Sequence, residues 1–243
     1  MLEGLYSAAA GMAAQQEQLD AIGNDLANLS TTGYKSERLA FSDLLYNQVD
    51  QAGTVTTQGA GASARAIGRS ETEGSLRETG NPLDLAIEGD GYFQLTGPAG
   101  QVALTRDGSF GVDGGGSITD AFGNPLSPPI KLPAGVTSKD IGISPDGTVT
   151  AGTRKLGQIR LVTVPSPEHL LGGGNGLLST SAASGAAQPA TSARIRQGAV
   201  EESNVDVARE MSLMVTTQRN FQMDSTAIQN ESQMMSIANQ LRA

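Results

Sequence analysis

The sequence predicts an α+β fold: long N- and C-terminal helices that pair as a coiled-coil-like hairpin, with a central antiparallel all-β domain between them. Three observations predict it. Near the start, Leu5, Ala8, Met12, Gln15, Leu19, Ile22, Leu26 and Leu29 step by three and four residues, and only Gln15 among them is polar. Near the end, Val207, Met214, Phe221, Ile228 and Met235 fall seven apart. Between these stretches lie most of the 31 glycines and several short alternating apolar runs broken by turn residues. A narrow apolar seam kept over several heptads needs partner helices. Ends of this kind point to assembly rather than to catalysis.

The first helix is predicted over Leu2 to Leu29, about 42 Å at ~1.5 Å per residue. Ser30-Thr31-Thr32-Gly33 ends it, with a glycine suited to a left-handed turn. Gly4, Gly11 and Gly23 lie inside it, each costing up to ~1 kcal/mol against Ala. Such a helix is marginal alone and depends on packing. From Tyr34 to Arg69 the pattern weakens. Phe41 to Tyr46 is compatible with a short helix or a strand, and the Gly-, Ala-, Ser-, Thr- and Gln-rich stretch Ala52 to Ala66 reads as a flexible loop or as an arm ordered by neighbouring subunits.

From Ser70 to Ser192 the chain reads as strands. Leu83, Leu85 and Ile87 alternate with Asp84, Ala86 and Glu88, and Gly89-Asp90-Gly91 turns the chain before Tyr92-Phe93-Gln94-Leu95. Ile141 and Ile143 precede the turn Ser144-Pro145-Asp146-Gly147, with Val149 beyond it, and Ile159, Leu161 and Val164 suggest another strand. Gly172 to Gly176 and the Ala/Ser-rich run after it read as loop. The second helix is predicted to start at Ser203-Asn204-Val205-Asp206, which has capping-box spacing, with Glu201 and Glu202 favouring the positive end of the helix dipole. Its intermediate seam positions are expected at Met211, Gln218, Ser225, Ser232 and Asn239, polar enough to fix register. The expected organisation is a discontinuous helical assembly domain (1–33 with 200–243), an extended connecting segment (34–69) and a central β domain (70–199).

Composition narrows the function. A net charge of −9 without a Lys/Arg-rich stretch argues against nucleic acid. The absence of cysteine excludes thiol chemistry and Cys-ligated zinc. The opening Met1 to Tyr6 has no basic start or cleavage pattern, so any export is expected by a route other than a cleaved leader. His169, the only histidine, lies in a Pro-rich loop and reads as a surface residue. Asp84 and Glu88 fall on one strand face roughly 13 Å apart at ~3.3 Å per residue, too far for either usual glycosidase separation. A cell-wall glycan-acting enzyme is thus a remote alternative. Asp113 to Asp120 lacks the ligand spacing of an EF-hand and reads as a hairpin turn, and Gly172 to Gly176 lacks the Lys-Ser/Thr of a phosphate loop. No catalytic residue, cofactor or metal is expected.

Four motifs carry a resemblance. Asn24-Asp25-Leu26-Ala27-Asn28-Leu29-Ser30-Thr31-Thr32-Gly33-Tyr34-Lys35 resembles the N-terminal signature of the bacterial flagellar axial proteins, the rod, hook and hook-associated subunits. It departs at Gly23, where the family usually has Ser, and at Asp25, where a second Asn is common. Thr79 to Phe93, Thr105 to Phe110, and Arg196 to Val207 with Thr217 to Phe221 resemble further family segments in the same order. The resemblance implies a non-enzymatic subunit of the flagellar basal-body rod that polymerises into a hollow, torque-transmitting shaft. Chain length points to the distal rod, with proximal-rod and hook-type subunits as alternatives. Implied partners are further copies in a helical tube, other rod proteins, the hook protein, the flagellar type III export apparatus and, where an outer membrane exists, a bushing ring. The expected assembly contacts are Leu5, Met12, Leu19, Ile22, Leu26, Val207, Met214, Phe221, Ile228 and Met235. The matching motif positions are Asn24, Leu26, Ala27, Asn28, Thr31, Gly33 and Tyr34.

Overall fold

Leu2–Ala27 forms one uninterrupted helix, α1, and Val207–Arg242 another, α2. The strands between them are antiparallel wherever a register is defined, so the architecture is α+β. The computed structural model describes residues 2–44, 47–51, 54–59, 61–97, 100–133 and 135–242. The chain divides into two compact units, one comprising Met1–Ala27, Glu37–Ile67 and Asp206–Ala243, the other Asn28–Ser36 and Gly68–Val205. No described helix is long and apolar enough to cross a membrane.

In the helical unit, α1 and α2 run antiparallel in contact. Gly4 lies against the Glu231 carboxylate and Gly11 against that of Asp224, while the Gln15 amide donates to Asp224 at 2.9 Å. Four strands complete this unit. Phe41 to Asp43 belongs to the strand side of its two readings, in Glu37–Asp43, whereas Leu44 lies just beyond that strand and Leu45 and Tyr46 lie outside the described residues. The stretch read as loop or arm is largely strand. Asn47–Gln51 pairs with Thr54–Gln58, and Ala62–Arg69 pairs with Glu37–Asp43. Ala52, Gly53 and Ala60 lie outside the described residues. Thr54-Val55-Thr56-Thr57 is β-branched throughout, which favours an extended backbone even where no apolar alternation marks it. Gly61 rests on α1: a Cβ there would sit 2.9 Å from the Ala10 methyl.

The β unit is built on a six-stranded sheet, in the order Leu171–Gly174, Leu177–Ser179, Val102–Thr105, Tyr92–Thr96, Leu161–Thr163, Gln188–Pro189. A three-stranded sheet of Ile141–Ile143, Thr148–Ala151 and Arg154–Gln158 and several strand pairs add to it. The core is aliphatic around one aromatic pair: Phe93 and Phe110 meet edge to face with centroids 5.1 Å apart, surrounded by Leu85, Ile87, Leu95, Ile118 and Val149. The strand expected to be half-buried, Leu85–Glu88, buries Leu85, Ala86 and Ile87 alike, so only Glu88 is exposed. The Ser144 to Gly147 turn forms as expected, closed by Gly147 N–H donating to the Ser144 carbonyl. Gly172 to Gly176 is not a loop. Asn175 and Gly176 both take positive φ (53° and 72°) and turn Leu171–Gly174 into Leu177–Ser179 as a tight hairpin.

Candidate assembly surface

Asp206, not Ser203, caps α2: its carboxylate accepts from Ala208 N–H at 2.9 Å and Arg209 N–H at 3.3 Å. Ser203 instead accepts from Val205 N–H within the preceding turn. Nor do Glu201 and Glu202 serve the helix dipole. Ala199–Glu201 is a strand paired with Leu76–Glu78. Glu202 accepts from Arg77 and Ser75. Glu201 is almost wholly buried and holds Lys35 at 2.6 Å and Arg106 at 3.1 Å.

That buried carboxylate is where the four motifs meet. Lys35 also donates to the Thr72 carbonyl, and Gly74 N–H donates to Glu201. Arg106 donates to the Gly89 carbonyl and lies over the Tyr92 ring at 5.4 Å. The Tyr92 hydroxyl in turn donates to Glu71, and its pKa is pushed well up, first by burial and then by the Glu71 charge. Gly33 N–H donates to the Glu201 carbonyl at 2.8 Å, and Thr32 donates to Asp107 at 2.6 Å. Asn204 ties the same place, donating to the Tyr34 carbonyl through its backbone and accepting from Ser36 N–H through its side chain. The segments that lead out of α1 and into α2 are therefore anchored side by side in the β unit.

The motif residues divide by role. Asn28 and Thr31 close the turn after α1, with Thr31 N–H donating to the Asn28 carbonyl and the Thr31 hydroxyl to the Asn28 side chain. Gly33 has φ +66°, and a Cβ there would lie 2.5 Å from the Arg106 carbonyl carbon. Gly33→Val is expected to cost the β unit about 2 kcal/mol or more through left-handed strain and this clash, read as a lower denaturant midpoint of the β-unit transition. Asn24 and Ala27 lie on the exposed side of α1, and Leu26 is half-buried.

The helices carry the assembly candidates. On α1, Ile22 is buried, whereas Leu5, Met12, Leu19 and Leu26 are only half-covered. The other buried α1 positions are Ala14, Ala21 and Asp25. On α2, Met214, Phe221, Ile228 and Met235 are half-covered and Val207 is exposed. The intermediate positions differ from expectation by one residue. Glu210, Thr217, Asp224 and Glu231 are covered, while Met211, Gln218 and Ser232 are exposed; Ser225 alone among the expected positions is half-covered. Asn239 has no described side chain. The inner side of α2 is thus a mixed seam, apolar at one position of each heptad and mostly acidic at the other. Gly4 and Gly11, seven apart, leave room for Glu231 and Asp224, also seven apart.

Glu210 has its pKa raised, first by desolvation and then by the charge of Asp25 on α1; Asp206 adds to the shift and Arg209 opposes it. A carboxyl raised on folding contributes stability below its unfolded pKa, near 4.5, and loses it as pH rises through the higher folded value. Acidification toward 4.5 therefore tightens the helical unit. Glu210→Gln is expected to raise the thermal midpoint of the helical signal at neutral pH and to flatten its dependence on acid, measured by circular dichroism against the unaltered chain.

The charged groups that could suggest catalysis have structural partners. Asp84 accepts from Asn81, Glu88 lies 3.7 Å from Arg196, and the exposed His169 lies 3.6 Å from Glu168. Asp113 accepts from Gly115 and Ser117 N–H in a hairpin turn. Comparisons with known proteins match segments of the chain in the same order as these motifs. Residues 5–35 match the family described as flagella basal body rod protein, 86–151 the flagellar hook protein FlgE/F/G D1 domain, and 196–241 the flagellar basal body rod FlgEFG protein C-terminal family. A flagellar basal-body rod protein FlgG from Borreliella burgdorferi is 36% identical, across 100% of this chain and 99% of that one. Its counterpart from Caulobacter vibrioides is 34% identical over the whole of both chains. A protein named FlgF from Mesorhizobium japonicum is 31% identical over 91% of this chain and 90% of its own. The chain belongs to the family of flagellar basal-body rod proteins.

Proposed function

We propose that this chain is the distal-rod subunit of the bacterial flagellum, a structural protein that polymerises through α1 and α2 into a hollow shaft transmitting torque to the hook. The observation that carries this reading is full-length similarity to proteins named FlgG, at 36% and 34% identity. The proximal-rod alternative draws on the weaker 31% match. The partial exposure of Leu5, Met12, Leu19, Leu26, Met214, Phe221, Ile228 and Met235 supports a role in covering neighbouring copies. The antiparallel contact of α1 with α2 supports a coiled-coil-like hairpin as the assembling element. In this reading the anchor at Glu201 holds the segments that lead out of α1 and into α2 side by side. Other rod proteins and the hook are its axial neighbours, the type III apparatus exports it, and a bushing ring surrounds it where an outer membrane exists.

The test is electron microscopy of basal bodies from cells lacking the chain. A rod that stops short, with no hook attached, is the expected result. A complete rod and hook without the chain contradicts the assignment, and loss of the whole rod from its base favours the proximal position.

A further inference from the structure

Gln15 on α1 and Asp224 on α2 form a pair that is only half made. The Gln15 amide donates through Nε2 to Asp224 Oδ2 at 2.9 Å. Its oxygen, Oε1, is buried and has no hydrogen-bond partner among the described residues. A buried acceptor left unpaired opposes folding, and native proteins keep few of them. Asp224 is engaged through Oδ2 alone among the described residues, so its Oδ1 is left over. A Cβ on Gly11, one turn from Gln15, would lie 3.3 Å from Oδ2, so glycine lets the carboxylate approach α1 closely.

The surroundings offer this carboxylate no counter-charge. α1 has no lysine or arginine, and Asp224 is in no ion pair among the described residues. On α2, Arg209 and Arg219 are exposed. The other acids of the seam are Glu231, against Gly4, and Glu210, which feels the charge of Asp25. The strand Glu37–Asp43 meets α1 at Asp25, through Glu37 N–H, and Gly61 meets it at Ser7 and Ala10. Arg38 and Arg65, the cations these strands carry in the helical unit, are exposed, as is Asp43.

We propose that Gln15 and Asp224 form a proton-operated latch between α1 and α2, closed when Asp224 is protonated and loosened when it is ionised. A protonated carboxyl donates and accepts at once, whereas a carboxylate only accepts. With a proton taken from solvent on Oδ1, the acid donates to Gln15 Oε1 while Oδ2 still accepts from Nε2. Acid and amide then satisfy each other in a closed ring of two hydrogen bonds, and no buried acceptor is left over. The gain is present in acid and lost as pH rises, the same sign that desolvation and the Asp25 charge give Glu210. The latch belongs to the single chain and does not rest on the subunit reading.

The test is thermal melting of the full-length chain, followed by its helical circular dichroism signal at about pH 7 and about pH 5. Glu210→Gln is present throughout, so that its titration does not contribute. Asparagine carries both a donor and an acceptor, so Asp224→Asn keeps the latch closed at either pH. It is expected to raise the midpoint at the higher pH by roughly 5 °C and to shrink the gain on acidification. On the Gln15→Leu background the same substitution is expected to bring no gain, because no amide is left to complete. The Gln15 side-chain amide signal in nuclear magnetic resonance spectra should move with acid in the parent chain and stay fixed in Asp224→Asn. An unchanged or lower midpoint in Asp224→Asn, or an equal gain on the Gln15→Leu background, overturns the latch. So does a chain with no cooperative helical transition at either pH. None of these results bears on the rod assignment, which basal bodies from cells lacking the chain test separately.

Discussion

Glu201→Ala is expected to destabilise the β unit by about 3–5 kcal/mol, because it strands two buried cations rather than merely removing a contact. Lys35 and Arg106 both keep about 5% or less of their side-chain surface exposed, and both point at the Glu201 carboxylate. Without it each retains one carbonyl partner, Thr72 for Lys35 and Gly89 for Arg106, which does not neutralise a charge. For a unit of this size the loss corresponds to a fall in thermal midpoint of roughly 10 °C. Replacing all three residues together with apolar side chains is expected to recover much of it, since buried ion pairs are often no more stable than well-packed apolar substitutes. Differential scanning calorimetry of the single and triple variants checks both statements. A Glu201→Ala chain with an unchanged midpoint would mean that the cluster is solvated and holds nothing.

Phe221→Asp is expected to abolish polymerisation while leaving the β unit intact. Phe221 sits half-covered on α2, between the acidic seam positions Glu210 and Asp224. Burying its ring contributes about 1.5–3 kcal/mol per copy, and a filament loses that at every subunit. The substitution also adds a third carboxylate to a short stretch of seam beside an α1 that has no cation to offer. Sedimentation should show only the monomer, and calorimetry should show the β-unit transition at its original temperature. Normal tubes from this variant would count heavily against assembly through the helices.

Much of this architecture is legible from residue order. The three–four spacing of Leu5 to Leu29 and the seven-residue spacing of Val207 to Met235 locate both helices, since backbone period and apolar period coincide there. The Ile141, Ile143 and Ser144-Pro145-Asp146-Gly147 pattern locates a hairpin for the same local reason. The phase of the second seam position on α2 is not legible. Asp224 and Glu231 face inward although they are acidic, and Gly11 and Gly4 opposite them on α1 make room. That information is split between two segments more than two hundred residues apart. Asn175-Gly176 did carry a hairpin signal, but flanking glycines hid it by removing any apolar alternation. The paired strands Asn47–Gln51 and Thr54–Gln58 lack alternation as well. The Lys35–Glu201–Arg106 cluster is the extreme case, joining positions 166 and 95 residues apart with no local pattern to announce it.

Hydrogen exchange of the dilute chain and of its assembled tube, compared residue by residue, tests the central claim most directly. Helices that complete their packing only on neighbours should open readily in the monomer and become protected by several orders of magnitude on assembly. The amides around Phe93, Leu85 and Ile87 in the β unit should exchange equally slowly in both. Protection of α1 and α2 in the dilute monomer equal to that of the β core, unchanged by assembly, would contradict the account.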